Sequence, residues 1–227
     1  MNIVITGASR GIGKAIAEKF LQENHRVIIC SRDSAKLEAL QQTYPSLITF
    51  VCDVSDKHSV EQLGDFVLQT FEQIDVLINN AGIFIPGKLT EEKDTVLEDT
   101  LRTNLLSAYY LTKKLSPRMK THQHGFIINM CSVASIKAYE NGGSYAISKF
   151  ALLGFSKTLR EELKPYNIKV TAILPGATLT DSWAGVDLPE TRFSTPEDIA
   201  LLVYTITQIS SFSVVEEILI RPQLGDI

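Results

Sequence analysis

Short runs of β-branched and aliphatic residues alternate along the chain with stretches in which apolar residues recur every three or four positions. Asn2 to Thr6, Arg26 to Cys30, Ile48 to Cys52, Val76 to Asn79, Phe126 to Asn129, Lys169 to Leu174 and Glu217 to Ile220 are the predicted strands. Most are nearly continuous Val, Ile and Leu rather than alternating, as expected of strands covered on both faces. Between them, Ile12, Ala15, Ile16 and Phe20 form one helical stripe, and Val60, Leu63, Val67 and Phe71 form another. Phe66, Phe71 and Phe155 fall at core spacing. The pattern predicts six helices between seven strands, hence an α/β fold with a parallel sheet and helices on both faces.

Tyr44-Pro45 marks the end of the second helix. Thr195-Pro196-Glu197-Asp198 marks the start of the last, with a cap residue, proline in the first turn and early acids. Without a linker-like shift in composition, the 227 residues are expected to form one domain, 1–227. Lys and Arg number 22 against 26 Asp and Glu, a net charge of −4. That balance argues against nucleic-acid or anionic-membrane binding, either of which needs a basic surplus. The chain begins in a strand pattern rather than a basic and apolar leader, and it has no long apolar run, so a cytoplasmic, non-membrane protein is expected. Cys30, Cys52 and Cys131 show no metal spacing and fit a reducing compartment. His122-x-His124 is read as a solvated turn rather than a metal site.

The first strand ends in Thr6-Gly7-Ala8-Ser9-Arg10-Gly11-Ile12-Gly13 and passes directly into a helix. Gly7 allows a tight turn, Gly11 lets backbone approach a pyrophosphate, and Gly13 lets helix pack on strand, while the helix N-terminus faces the anion. A glycine-rich turn without a ligand stays open as an alternative for this motif alone. After the second strand comes Cys30-Ser31-Arg32, with no acid at the strand end to take a ribose 2′-hydroxyl. Arg10 and Arg32 instead suit a 2′-phosphate, which favours NADP(H). Asp33 comes one residue late and is read as the cap of the next helix rather than a ribose contact. Tyr145 and Lys149 stand four apart on one helical face. Such a pair by itself is ordinarily a solvated surface.

Taken together, Thr6-Gly-x3-Gly-x-Gly13, Asn79-Asn80-Ala81-Gly82, Ser132 and Tyr145-x3-Lys149 resemble the short-chain dehydrogenases/reductases over residues 1 to about 180. The resemblance implies a single Rossmann-type, doubly wound domain. It implies that Tyr145 is the acid that protonates a carbonyl oxygen, that Ser132 hydrogen-bonds the same oxygen, and that Lys149 holds the nicotinamide ribose and depresses the Tyr145 pKa. Asn104 matches the family's helix asparagine that positions a water in the proton relay. The implied cofactor contacts are Gly7, Ser9, Arg10, Gly11, Ile12, Gly13 and Arg32 at the phosphates, then Asp53 and Val54 beside the adenine. Asn80, Ala81 and Gly82 would lie along the adenosine ribose, Tyr145 and Lys149 at the nicotinamide ribose, and Pro175, Gly176, Thr178 and Thr180 around the carboxamide. Asn79 is read as sheet-stabilising rather than as a ligand contact.

Two departures stand out. Cys131 replaces a serine common in relatives, so Ser132 must act alone. Val215 to Pro222 replaces a glycine-rich ending and resembles the 3-hydroxy acid and serine dehydrogenase branch. The expected function is NADP(H)-dependent hydride transfer to or from a small-molecule carbonyl or secondary alcohol, by a homodimer or homotetramer. A 3-oxoacyl-thioester reductase is the alternative within enzymes, suggested by Asn141-Gly142-Gly143. A non-catalytic NADP(H)-binding redox sensor is the alternative outside them. From Asp181 to Ser194 a short segment of fourteen residues is expected to form a lid in which Trp183 supplies apolar contact.

Overall fold

The computed structural model describes residues 1–183 and 185–227. Seven strands are present among them: β1 Asn2–Thr6, β2 Arg26–Ser31, β3 Ile48–Val51, β4 Val76–Asn79, β5 Gly125–Met130, β6 Ile168–Pro175 and β7 Glu217–Ile220. They pair in parallel in the order β3-β2-β1-β4-β5-β6-β7. The helices are α1 Gly11–Gln22, α2 Ser34–Thr43, α3 Lys57–Thr70, α4 Asp94–Leu101, α5 Ser107–His122, α6 Gly143–Leu163 and α7 Pro196–Thr207.

The strands are apolar throughout because both faces are covered. On one face Ile3, Ile5, Val27, Ile29, Val76 and Ile78 meet Ile16 and Phe20 of α1, Leu37 of α2, and Ile199 and Val203 of α7. On the other, Val4, Ile28, Leu77 and Ile127 meet Val60, Leu63 and Val67 of α3, Leu111 and Leu115 of α5, and Leu159 of α6. Full burial of one such side chain contributes about 1.5–3 kcal/mol, so the two layers fix which strand ends stand side by side. Phe71 is fully buried, while Phe66 and Phe155 pack at the margin of the core.

The single helix expected between β4 and β5 is two. A π-turn, Arg102–Leu106, joins α4 to α5 and carries the buried Asn104. Single π-turns inside helices are rare and frequently stand at functional sites. The caps follow local sequence. Asp33 accepts the Lys36 N–H at 3.1 Å, and Thr195 accepts that of Asp198 at 3.2 Å. Asn79 donates to Asn129 Oδ1 at 2.8 Å across β4 and β5, and Asn129 donates to Ser156 of α6 at 2.8 Å. Asn79 is thus a buried cross-strand link. No described helix is long and apolar enough to cross a membrane.

Candidate active site

Strand order reverses between β1 and β4, and the crevice beyond the carboxyl ends of the strands at such a point is where open α/β sheets take ligands. A cavity of about 700 Å³ opens there, within the range of about 300–1,000 Å³ usual for small-molecule sites. Gly7, Ser9, Arg10, Gly11, Ile12, Gly13, Arg32, Asp53, Val54, Asn80, Ala81 and Gly82 line one end. Ser132, Tyr145, Lys149, Pro175, Gly176, Thr178 and Thr180 line the other. Of the expected site residues only Asn104 is not in the wall; it stands behind it.

The glycine loop has the geometry its sequence demands. Gly7 has φ +65°, and a Cβ there would lie 2.7 Å from Ala81 Cα. At Gly13 a Cβ would lie 2.7 Å from the Gly7 carbonyl oxygen. The loop is therefore pressed against the Asn80–Gly82 turn, and any side chain would separate them. Arg10, the residue before α1, is extended and gives the helix no side-chain cap, and the first turn holds no acid. The first turn of α1 thus has no side-chain acceptor of its own, and Gly11, Ile12 and Gly13 border the cavity.

Asn80, expected along a ribose, uses its side chain differently. Its amide donates to the carbonyl oxygens of Thr6 and Gly7, each at 2.9 Å, so it braces the glycine loop. Thr6 Oγ1 in turn accepts the Asn80 and Ala81 N–H groups at 3.1 Å. The two arginines each face an acid. Arg10 pairs with Asp181 at 3.0 Å and Arg32 stands 4.0 Å from Asp53, and all four side chains are largely exposed. Ion pairs this open contribute at most about 1 kcal/mol, so either guanidinium can exchange its partner for a phosphate.

At the other end, Ser132 caps a short 3₁₀ turn, Val133–Ser135. Its Oγ accepts the Ala134 N–H at 3.1 Å, and its own N–H donates to Ser135 Oγ at 3.2 Å. One lone pair is therefore fixed and the hydroxyl hydrogen is left for another acceptor. Lys149 is buried and donates from Nζ to the Met130 carbonyl oxygen at 2.6 Å. It lies 5.7 Å from the centre of the Tyr145 ring. Burial lowers the Lys149 pKa to about 8. Burial raises the Tyr145 pKa, and hydrogen bonding by Ser132 opposes the rise. The protein by itself thus keeps the phenol protonated, because desolvation of the phenolate outweighs the help it receives.

Asn104 is likewise a clamp. Nδ2 donates both hydrogens, to Ile83 O at 3.0 Å and to Ser148 Oγ at 2.9 Å, while Oδ1 accepts the Ile83 N–H at 2.8 Å. It joins the turn after β4 to α6, beside Lys149.

Sequence reasoning missed Phe84, Lys137, Tyr139, Asp226 and Ile227, which also line the cavity. Phe84 stacks edge-on against Tyr145 at 5.0 Å between centres. Burial and the neighbouring Tyr145 push the Tyr139 pKa up to about 12. Asp226 is far from every motif in sequence, and only the fold brings it in. Trp183 lines the cavity and packs on Phe193 at 5.3 Å. Within the expected lid, Ala184 lies outside the described residues.

The family model described as short chain dehydrogenase matches residues 1–190. The chain is 34% identical to a sepiapterin reductase of Chlorobaculum tepidum, covering 99% of this chain and 97% of that one. Among solved structures, a metagenomic short-chain oxidoreductase in complex with NADP superimposes with a TM-score of 0.86 at 31% identity, covering 99% of this chain and 98% of that one. The closed form of a serine dehydrogenase complexed with NADP+ superimposes with a TM-score of 0.90 at 25% identity, covering 100% and 97%. The chain is an oxidoreductase and belongs to the short-chain dehydrogenase family.

Proposed function

We propose that the protein is an NADP(H)-dependent carbonyl reductase or alcohol dehydrogenase in which Tyr145 is the general acid and base. One observation carries this reading: a single cavity runs from the glycine loop, flanked by Arg10 and Arg32, to Ser132, Tyr145 and Lys149. The NADP carried by two structural relatives supports the choice of cofactor. The nicotinamide, when bound, supplies or accepts the hydride.

The residues divide the remaining work. The α1 N-terminus and the Gly7–Gly13 loop take the pyrophosphate, and Arg10 and Arg32 take the 2′-phosphate by charge-assisted hydrogen bonds. Asp53 and Val54 border the adenine. Lys149 donates to the nicotinamide ribose hydroxyls, and the loop from Pro175 through Gly176 and Thr178 to Thr180 holds the carboxamide. Ser132 turns its hydroxyl hydrogen from Tyr145 to the substrate oxygen. Tyr145, a phenol that burial makes still harder to ionise, is in the protonated form that reduction requires, and it passes its proton to that oxygen. Asn104 Oδ1 has one lone pair to spare for a relay water.

Phe84, Tyr139 and Trp183 make the substrate end aromatic. With so short a lid, small or extended carbonyl compounds fit better than polycyclic ones. Asn141 and Gly143 both have positive φ, +60° and +36°, so Asn141-Gly142-Gly143 also has a local backbone reason, and acyl thioesters stay among the substrates to be tried.

The test is binding. NADPH should bind at least about tenfold more tightly than NADH, roughly 1.4 kcal/mol, and Arg32→Asp should narrow or reverse the preference. Equal dissociation constants in the parent protein overturn the cofactor assignment. Following NADPH oxidation across ketones, 3-oxo acids, acyl thioesters and quinones then identifies the substrate class.

A further inference from the structure

The helix that carries Tyr145 and Lys149 begins without the means to secure its own start. Gly142 stands at the N-cap and offers no side chain, and the first turn contains no acidic residue. The chain enters it through Asn141 and Gly143, both in the left-handed region. A helix start of this kind leaves N–H groups without acceptors and a positive dipole end without a counter-charge.

Both are supplied from a different part of the chain. The Glu92 carboxylate, in the loop between β4 and α4, accepts the Ser144 hydroxyl hydrogen, and its other oxygen accepts the Ser144 N–H at 3.4 Å. Ser144 is fully buried and immediately precedes Tyr145. The loop is fastened a second time where Gly87 N–H donates to Asn141 O at 3.0 Å. A Cβ at Gly143 would lie 2.6 Å from Glu92 Oε2 and 2.6 Å from Gly87 O, so the two segments touch along their backbones. The same loop carries Phe84, whose ring lies against that of Tyr145.

We infer that Glu92 is a positioning residue for catalysis: it caps α6 from outside the helix, and so sets where Tyr145 stands relative to Ser132 and Phe84. It does not touch the reacting atoms. Its effect passes through Ser144 to the next residue, and a small displacement of a proton donor is enough to cost a large factor in rate. Lys149, a full turn further along, is held separately by Met130 O, so cofactor binding should not depend on Glu92.

The inference rests on Tyr145 being the acid, and the experiment separates the two claims. Glu92→Ala should lower kcat at least about tenfold while the NADPH dissociation constant stays within about twofold. Glu92→Gln keeps one acceptor oxygen but loses the charge, so it should retain at least about threefold more kcat than Glu92→Ala. In the protein without cofactor, amide exchange at Ser144 and Tyr145 should quicken at least about tenfold in Glu92→Ala, with α1 unchanged. If Glu92→Ala fails to fold, Ser144→Ala takes its place and should lower kcat at least about threefold at unchanged NADPH affinity. Parent-like kcat in Glu92→Ala or its replacement overturns the inference, as does a Gln variant no better than the Ala variant, or a parallel loss of NADPH affinity. A Tyr145→Phe protein with full turnover would instead overturn the functional reading on which it rests.

Discussion

Lys149 is a cation kept in a place that disfavours charge, and replacing it should make the protein more stable and inactive at once. Burial lowers its pKa from 10.5 to about 8. At about 1.36 kcal/mol per pKa unit, the folded state at pH 7 carries a penalty on the order of 3 kcal/mol for the buried ammonium. Lys149→Met keeps the volume and removes the charge, but leaves the Met130 carbonyl without its donor, which costs about 1 kcal/mol. The net gain is about 2 kcal/mol, and at roughly 2–4 °C per kcal/mol for a chain of this size the melting temperature should rise by about 4–8 °C. The sign of the pH dependence is fixed. Because the folded pKa lies below the unfolded one, the unfolded chain binds more protons between about pH 8 and 10.5, so parent stability gains with pH across that window. The advantage of Lys149→Met, measured by thermal unfolding without cofactor, should therefore shrink below about 1 kcal/mol by pH 9.5. A variant that melts below the parent at pH 7, or a gap that is constant from pH 7 to 9.5, refutes the reasoning.

Two further outcomes follow from the ends of the cavity. Asp181→Ala frees Arg10 from an exposed ion pair worth at most about 1 kcal/mol, so NADPH affinity should rise by about two- to fivefold and NADH affinity should not; titration of both cofactors checks this. Trp183→Ala should lower kcat/KM for a small 3-oxo ester, which the parent should prefer to a polycyclic ketone. A parent that favours the polycyclic ketone, or a variant with both values unchanged, contradicts the role given to the lid.

What the sequence shows clearly is what local rules decide. Continuous apolar runs mark strands covered on both faces, and Asp33 and Thr195 are visible as caps because a capping residue and its N–H lie within three positions. Gly7 is legible because its positive φ is a local demand, whereas the Ala81 backbone that presses on it comes from far along the chain. The π-turn at Arg102–Leu106 is not, since the apolar pattern runs through α4 and α5 almost unbroken. Nor are the pairings of distant charges: nothing near Arg10 points to Asp181, and nothing near Ser144 points to Glu92. Asn80 and Asn104 show the same limit from the other side. A motif says which residue is present and not which neighbours its amide serves. The protonation balance of Tyr145 depends on burial, which only the packed structure supplies.

Tyr145→Phe tests the central claim most directly, because it removes one hydroxyl and keeps the ring that packs on Phe84. With the best substrate from the carbonyl panel and saturating NADPH, turnover should fall by a factor of about 10² or more, the usual weight of a positioned acid. NADPH affinity should stay within about threefold, since Lys149 and the glycine loop are untouched. Undiminished turnover in the Tyr145→Phe protein would contradict the account.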